Sequence, residues 1–124
     1  MADVLPDASA NQAVSDTFDL PGTLTRLGGD VELLRDLIDM FAEDAPVMIA
    51  QMSEAAAAGY CEDVQHFAHS LRGLAANFGA VRVTGLLAQL EEKAATKSLD
   101  GGREILAAVR PETERLLAAL ASYR

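Results

Sequence analysis

Several residue types that mark common protein classes are scarce in this 124-residue chain. Cys61 is the single cysteine, so no intrachain disulfide can form, and a reducing compartment suits it. Its neighbours form neither a catalytic nucleophile nor a set of metal ligands. Tryptophan is absent and aromatic residues make up 5% of the chain. Runs rich in β-branched and aromatic residues are few, which leaves no candidate strands.

The chain also lacks long apolar runs and a basic character. No apolar run approaches the length of about 20 residues that a membrane helix needs. The N-terminus, MADVLPDASANQAVSDTF, has neither the basic start nor the apolar centre of a secretory signal. The formal net charge is -9, which argues against nucleic acid and anionic membrane surfaces as partners. We therefore expect a cytoplasmic protein that binds neither.

What remains is a composition that favours helices. Half of the residues are apolar, with alanine and leucine dominant, enough for one modest core in one domain. Residues 1–17 are small and polar without periodicity, so we expect a flexible tail before a single domain over residues 18–124. Four long segments after it have apolar residues at helical spacing. Because short loops place consecutive helices antiparallel, the prediction is all-α: an up-down-up-down four-helix bundle with a short extra N-terminal helix.

Glycine and proline positions predict the limits of the first two helices. A short helix opens near Pro21, which suits a first helical position, and ends at Gly28 and Gly29. Asp30 is a good N-cap for the second helix, which runs to the alanines before Gly59. Proline inside this helix, at position 46, is expected to bend it without ending it, because the apolar stripe keeps its phase on both sides.

The remaining breaks divide the rest of the chain into three helices. The third helix is predicted from Glu62 to Phe78, with Gly79 as its C-terminal stop. The fourth starts near Val81 and ends at the break LDGG at 99–102. In the fifth, Pro111 either kinks the helix or splits it in two, and we favour the kink.

The third helix contains the stretch HFAHSLRGLAANFGA, residues 66–80, which holds both histidines of the chain and a mid-helix glycine. At about 100° per residue, the apolar side chains fall on one face and His69 points to solvent. Gly73 lies one turn further on the same outward line, and Ala76 lies close to it. A mid-helix glycine costs about 1 kcal/mol relative to alanine, and an outward one is not explained by packing against a neighbouring helix. We interpret Gly73 and Ala76 as clearance for a protein that approaches His69, with Arg72 within reach of an anion on the imidazole.

The segment AHSLRGLAANFGA, residues 68–80, resembles the signature of histidine-containing phosphotransfer (HPt) domains, the small helical bundles of multistep two-component phosphorelays. That pattern is a histidine, a basic residue three positions on, a glycine next, and a second glycine six further. His69, Arg72, Gly73 and Gly79 match it, with arginine in place of the usual lysine. FAEDAP at 41–46 and the segment 20–34 resemble the family's preceding helices, so the resemblance covers about residues 18–123.

The resemblance implies a phosphorelay intermediate, not an enzyme, with no nucleotide site. His69 would accept a phosphoryl group from a receiver-domain aspartyl phosphate and pass it to another receiver domain. Arg72 would stabilise the phosphoryl charge. Glu91 on the next helix would orient the imidazole, or Glu92 if the phase is off by one. The implied partners are response-regulator receiver domains and a histidine kinase, hybrid or not. The protein would be a monomer without a cofactor of its own, and the receiver would supply Mg²⁺.

Other hypotheses stay open at this point. The chain could be a helical adaptor that binds a signalling partner without phosphotransfer, or the carrier fragment of a larger hybrid kinase, although the initial Met favours a free-standing protein. His66 could be a second acceptor or half of a metal pair, but we assign it a structural role. One histidine pair without a third ligand is a weak metal signal, and a carboxylate-bridged bundle needs inward Glu-x-x-His pairs that are missing here. We therefore predict no metal site.

Overall fold

The computed structural model describes residues 17–124 of the chain. The prediction of a flexible tail over residues 1–17 falls almost wholly on residues outside this range. Within residues 18–124 the chain forms helices and no strand, so the all-α prediction is confirmed. The five helices are α1 (Leu20–Arg26), α2 (Val31–Ala58), α3 (Cys61–Ala76), α4 (Val81–Ala95) and α5 (Gly102–Ala121).

The four long helices pack as the predicted antiparallel bundle. α3 packs between α2 and α4, and α5 packs against α4 and α2, so α3 and α5 lie on opposite corners. The apolar stripes of all four helices meet in one core that includes Phe41, Leu71, Leu87 and Leu116, each almost fully buried. No helix within residues 17–124 is long and apolar enough to cross a membrane.

Aspartate side chains cap the starts of the first two helices, and the Asp30 cap and the Gly59 stop lie where the sequence predicts them. The side chain of Asp19 accepts a hydrogen bond from the Gly22 amide at 3.0 Å, and that of Asp30 accepts one from the Leu33 amide at 3.0 Å. Gly59 closes α2 with φ of 78°, in the left-handed region that favours glycine. These caps satisfy backbone amides at the starts of α1 and α2 that have no partner inside the helix.

Both internal prolines lie inside unbroken helices. α2 continues through Pro46, as predicted, and α5 continues through Pro111, so α5 is not split in two. Gly102, predicted to be part of the break before the fifth helix, is instead the buried first residue of α5. The break comes one residue earlier, where Gly101 has φ of 75°.

The predicted end of the third helix at Phe78 is wrong by two residues. The amides of Asn77, Phe78 and Gly79 donate to carbonyls three residues back, not four, so the last turn tightens after Ala76. Gly79 has φ of 60°, and a Cβ there would lie 2.7 Å from the Cβ of Asp19. The Asp19 amide donates to the Phe78 carbonyl at 2.8 Å. This close approach ties the start of α1 to the end of α3, which explains the second glycine of the motif in structural terms.

Candidate functional site

His69 lies on the outward face of α3, where the helical phase predicts it. The inward face of the helix buries Val64, Ala68, Leu71 and Ala75 in the core. The residue after Ala68 therefore turns toward solvent, and 68% of the His69 side chain is exposed. An exposed imidazole in the middle of a rigid, packed helix is accessible to a partner protein and fixed in position.

Glu91 of α4 holds one side of this imidazole. Its Oε2 lies 3.0 Å from Nδ1 of His69, and its Oε1 accepts a hydrogen bond from Nε of Arg72 at 2.9 Å. The preceding Leu90 is buried in the core, which places Glu91 at the edge of α4 beside α3, with 19% of its side chain exposed. Glu92, the alternative from the sequence, is exposed on α4 and forms neither bond.

The contacts at Nδ1 decide which nitrogen of His69 is free. Nδ1 faces a carboxylate oxygen at 3.0 Å and a terminal nitrogen of Arg72 at 3.3 Å. A guanidinium has no acceptor, so a protonated Nδ1 can bond only to Glu91, and that contact is the shorter one. We assign the proton to Nδ1 on this ground. Nε2 then carries the lone pair, and it has no hydrogen-bond partner within residues 17–124.

The Glu91 carboxyl is held in its ionised form. Burial by itself raises the pKa of this carboxyl, but the hydrogen bonds from Arg72 and His69 outweigh burial and keep the pKa below its usual range. The carboxylate is therefore charged at neutral pH. It can accept hydrogen bonds from Nδ1–H of His69 and from Arg72 at the same time.

The surface beside His69 is formed by very small side chains. Gly73 and Ala76 are both exposed, and a Cβ added at Gly73 would meet no atom within 4 Å. Packing inside the protein therefore does not require a glycine at this position. The open space above it is available to another molecule.

Comparison with known proteins identifies the family and the fold of this chain. The sequence model of the Hpt domain matches residues 36–123. The chain belongs to the Hpt domain family. The crystal structure of histidine-containing phosphotransfer protein B (HptB) from Pseudomonas aeruginosa PAO1 is similar, with a TM-score of 0.74 and 26% sequence identity. The match covers 85% of this chain and 91% of that one. No match was found among curated protein sequences.

Membership makes this Hpt domain a phosphotransfer protein of the phosphorelay type. Proteins of this family carry phosphoryl groups and are not catalysts, and their partners in phosphorelays are response regulators and histidine kinases. The family match begins inside α2, so α1 and the turn at Gly28–Asp30, which the sequence resemblance included, lie outside the matched span.

His66 and Asn77 of this Hpt domain lie near His69 in sequence and take no part in its contacts. His66 is exposed, and its ring lies edge-on to Phe67 with 5.6 Å between the ring centres. Asn77 caps the end of α3, and its carbonyl accepts a hydrogen bond from Arg26 at 3.0 Å. Within residues 17–124 no group of three or more His, Cys, Asp or Glu side chains could hold a metal ion.

Sequence reasoning did not find the ion pair between Arg72 and Glu91. It gave each residue a separate role toward the histidine, whereas the structure shows that they bond to each other. The signal was present in the bundle topology, since antiparallel neighbours α3 and α4 place opposite charges side by side. A residue pair 19 positions apart needs the register of the two helices before it can be predicted.

Proposed function

We propose that this Hpt domain carries a phosphoryl group on Nε2 of His69. It accepts the group from the aspartyl phosphate of one receiver domain and passes it to a second receiver domain. The observation that supports this most strongly is the exposed imidazole whose Nδ1 faces a carboxylate, which leaves Nε2 free as the nucleophile.

The transfer balances without any other reactant. The Nε2 lone pair attacks the phosphorus, an N–P bond forms, and the acyl O–P bond breaks to leave the receiver's aspartate as a carboxylate. In the second step a carboxylate of the next receiver attacks the same phosphorus, and the N–P bond returns its electron pair to Nε2. The Nδ1 proton stays on His69 throughout.

Glu91 acts as a positioning residue in this scheme. Phosphorylation at Nε2 makes the imidazole cationic, and the carboxylate 3.0 Å from Nδ1 stabilises that charge. The same contact holds the ring orientation so that Nε2 points outward before the receiver arrives, which removes an entropic cost from the transfer step.

Arg72 has donors left for the phosphoryl group. Its Nε donates to Glu91, and one of its two terminal nitrogens lies 3.3 Å from Nδ1 of His69. A guanidinium offers five donors in a planar fork, so Arg72 can bind Glu91 and a phosphoryl oxygen together. A lysine here would have to divide one ammonium group between them. We infer that Arg72 lowers the energy of the charged transfer state.

Gly73 and Ala76 let the receiver's active site approach the imidazole closely. The domain needs no cofactor of its own in this proposal, because the carboxylate that contacts His69 among residues 17–124, that of Glu91, already bonds to Arg72 and the histidine. Mg²⁺ prefers several free oxygen ligands, so the ion that helps the phosphoryl oxygens belongs to the receiver's acidic pocket.

We further propose that the protein works as a cytoplasmic monomer with a histidine kinase upstream. The single, half-buried Cys61 suits a reducing compartment. The net charge of -9 opposes self-association. Light scattering on the purified protein, before and after phosphorylation, should give the mass of one chain, and a concentration-dependent dimer would contradict this part.

The test is to follow a radiolabelled phosphoryl group from one phosphorylated receiver, through this protein, to a second receiver. Wild type and His66→Gln should take up the label and pass it on, and the label on the protein should be acid-labile and base-stable. His69→Gln should take up none. Receivers that bind tightly without any transfer would favour the helical adaptor instead.

A further inference from the structure

An exposed apolar line runs along α2. Leu33, Met40 and Val47 are 40%, 50% and 56% exposed, although each is a large apolar side chain. They are spaced seven residues apart, which is nearly two helical turns, so they share one face. The buried stripe of α2 lies on a different face and does not include them. The packing of the bundle therefore leaves this line unexplained.

The line lies at the edge of α2 that faces α3. Gln51, one turn after Val47, lines a shallow groove of about 420 Å³ together with Asp63 and Phe67 of α3. The residues four, eleven and eighteen positions before Gln51 are Val47, Met40 and Leu33, and they continue along the same edge. On the other side of α2, Asp39 pairs with Arg124 after the end of α5. The apolar line therefore flanks the surface of α3, not that of α5.

Val47 lies level with the histidine site along the bundle. α2 and α3 run antiparallel from the turn at Gly59 and Tyr60. Because both helices rise by the same distance per residue, two residues that are equally far from the turn in sequence lie side by side. Val47 is about twelve residues before this turn, and Arg72 is about twelve residues after it. Glu91 reaches the histidine from α4, so the apolar line borders the His69 surface from the opposite side.

Unpaired acidic side chains surround this line. α2 carries six acidic residues and one arginine. Asp36 and Glu43 follow Leu33 and Met40 by three residues each, and Asp44 lies between Met40 and Val47. These three carboxylates are exposed and make no ion pair within residues 17–124.

We propose that the line Leu33, Met40 and Val47 is part of the receiver-docking surface, and that it selects receivers whose docking face has an apolar centre flanked by lysine or arginine. The inference rests on the proposed phosphoryl exchange with receiver domains. The apolar centre contributes to the lifetime of the complex, while the carboxylates steer a basic partner toward it. A second copy of this chain does not fit, because it would bring the same unpaired carboxylates face to face.

The experiment measures association and dissociation rates with a receiver that exchanges phosphoryl groups with the wild type. Glu43→Lys with Asp44→Lys reverses two charges beside the line. Glu104→Lys with Glu114→Lys makes the same change in net charge on exposed positions of α5, at the corner of the bundle opposite α3. At low salt the first pair should slow association by at least about tenfold and flatten its salt dependence, while the control pair changes little. Val47→Ser should raise the dissociation rate and leave association nearly unchanged.

A small donor separates this inference from the chemistry of His69. Phosphoramidate gives up its phosphoryl group to the imidazole with loss of ammonia and needs no docking surface. All five substituted positions should leave this reaction at the wild-type rate. If both charge-reversal pairs slowed association equally, or if the α2 pair associated faster than wild type, the receiver would not be recognised through lysine or arginine beside the apolar line. Either result would overturn this inference even while receiver transfer still proceeds. Failure of every receiver to exchange with the wild type would instead overturn the proposed function.

Discussion

The two carboxylate oxygens of Glu91 contact different side chains of α3: Oε2 lies 3.0 Å from Nδ1 of His69, and Oε1 lies 2.9 Å from Nε of Arg72. One residue on α4 therefore fixes both the imidazole and the cation beside it. The exposed end of the site is consequently less mobile than its solvent exposure suggests, because each of the three side chains restrains the other two.

Removing the Glu91 carboxylate should slow phosphoryl transfer. Glu91→Ala leaves the imidazole free to rotate and should lower the single-turnover transfer rate by about tenfold to a hundredfold, since misplacement of a reacting group by about 1 Å has costs of that size. Glu91→Gln keeps an oxygen that can accept a hydrogen bond from Nδ1–H, so the transfer rate should fall less in this variant. Nitrogen-15 NMR of His69 should show protonated Nδ1 in wild type and mixed tautomers in the alanine variant. An unchanged rate in Glu91→Ala would remove the positioning role.

The stability of the domain should depend on pH through Glu91. Its pKa is lower in the folded state than in the unfolded chain, so its contribution to the free energy of unfolding is fully present above the unfolded value, about 4.3. That contribution disappears as the pH falls through the lower folded pKa. Urea titrations from pH 6 to pH 3 should therefore show wild type losing more stability than Glu91→Gln. Parallel curves for the two proteins would mean that the carboxylate is not stabilised in the fold.

Gly73→Ala should change the stability of the domain and its affinity for a receiver in opposite directions. Nothing lies within 4 Å of the added Cβ, so Gly73→Ala should raise the free energy of unfolding by about 1 kcal/mol through helix propensity. Gly85→Ala is a matched control for this gain, because Gly85 is exposed in the second turn of α4 and its added Cβ also meets no atom within 4 Å. Gly73→Ala should nevertheless weaken receiver binding in a titration. Stabilisation without any loss of receiver affinity would contradict the clearance role.

The two buried threonines should respond oppositely to substitution by valine. The hydroxyl of Thr113 is buried and has no hydrogen-bond partner among residues 17–124, so Thr113→Val should stabilise the domain by about 1 kcal/mol. The hydroxyl of Thr23 donates to the Asp19 carbonyl at 2.6 Å, so Thr23→Val should destabilise it by about 1 kcal/mol. Thermal unfolding of both variants checks the signs. A loss of stability in Thr113→Val would mean that this hydroxyl does have a partner in solution.

The helices and the outward direction of His69 could be predicted from the sequence, because both follow from the period of the helix and from caps such as Asp30 and Gly59. The contact between Arg72 and Glu91 could not, since it depends on the register between α3 and α4. The exposure of Met40 could not be predicted from the sequence either, and half of its side chain is exposed. A stripe read along one helix does not show how far the neighbouring helix covers its edge.

The most direct test of phosphoryl transfer through His69 is to locate the phosphorus on the protein itself. The protein is phosphorylated by its receiver, and the coupling of phosphorus-31 to the ring nitrogens is measured by NMR on a sample labelled with nitrogen-15. The expected result is a single phosphohistidine with the phosphorus on Nε2 of His69 and a proton on Nδ1. Phosphorus on His66, or on Nδ1 of His69, would contradict it.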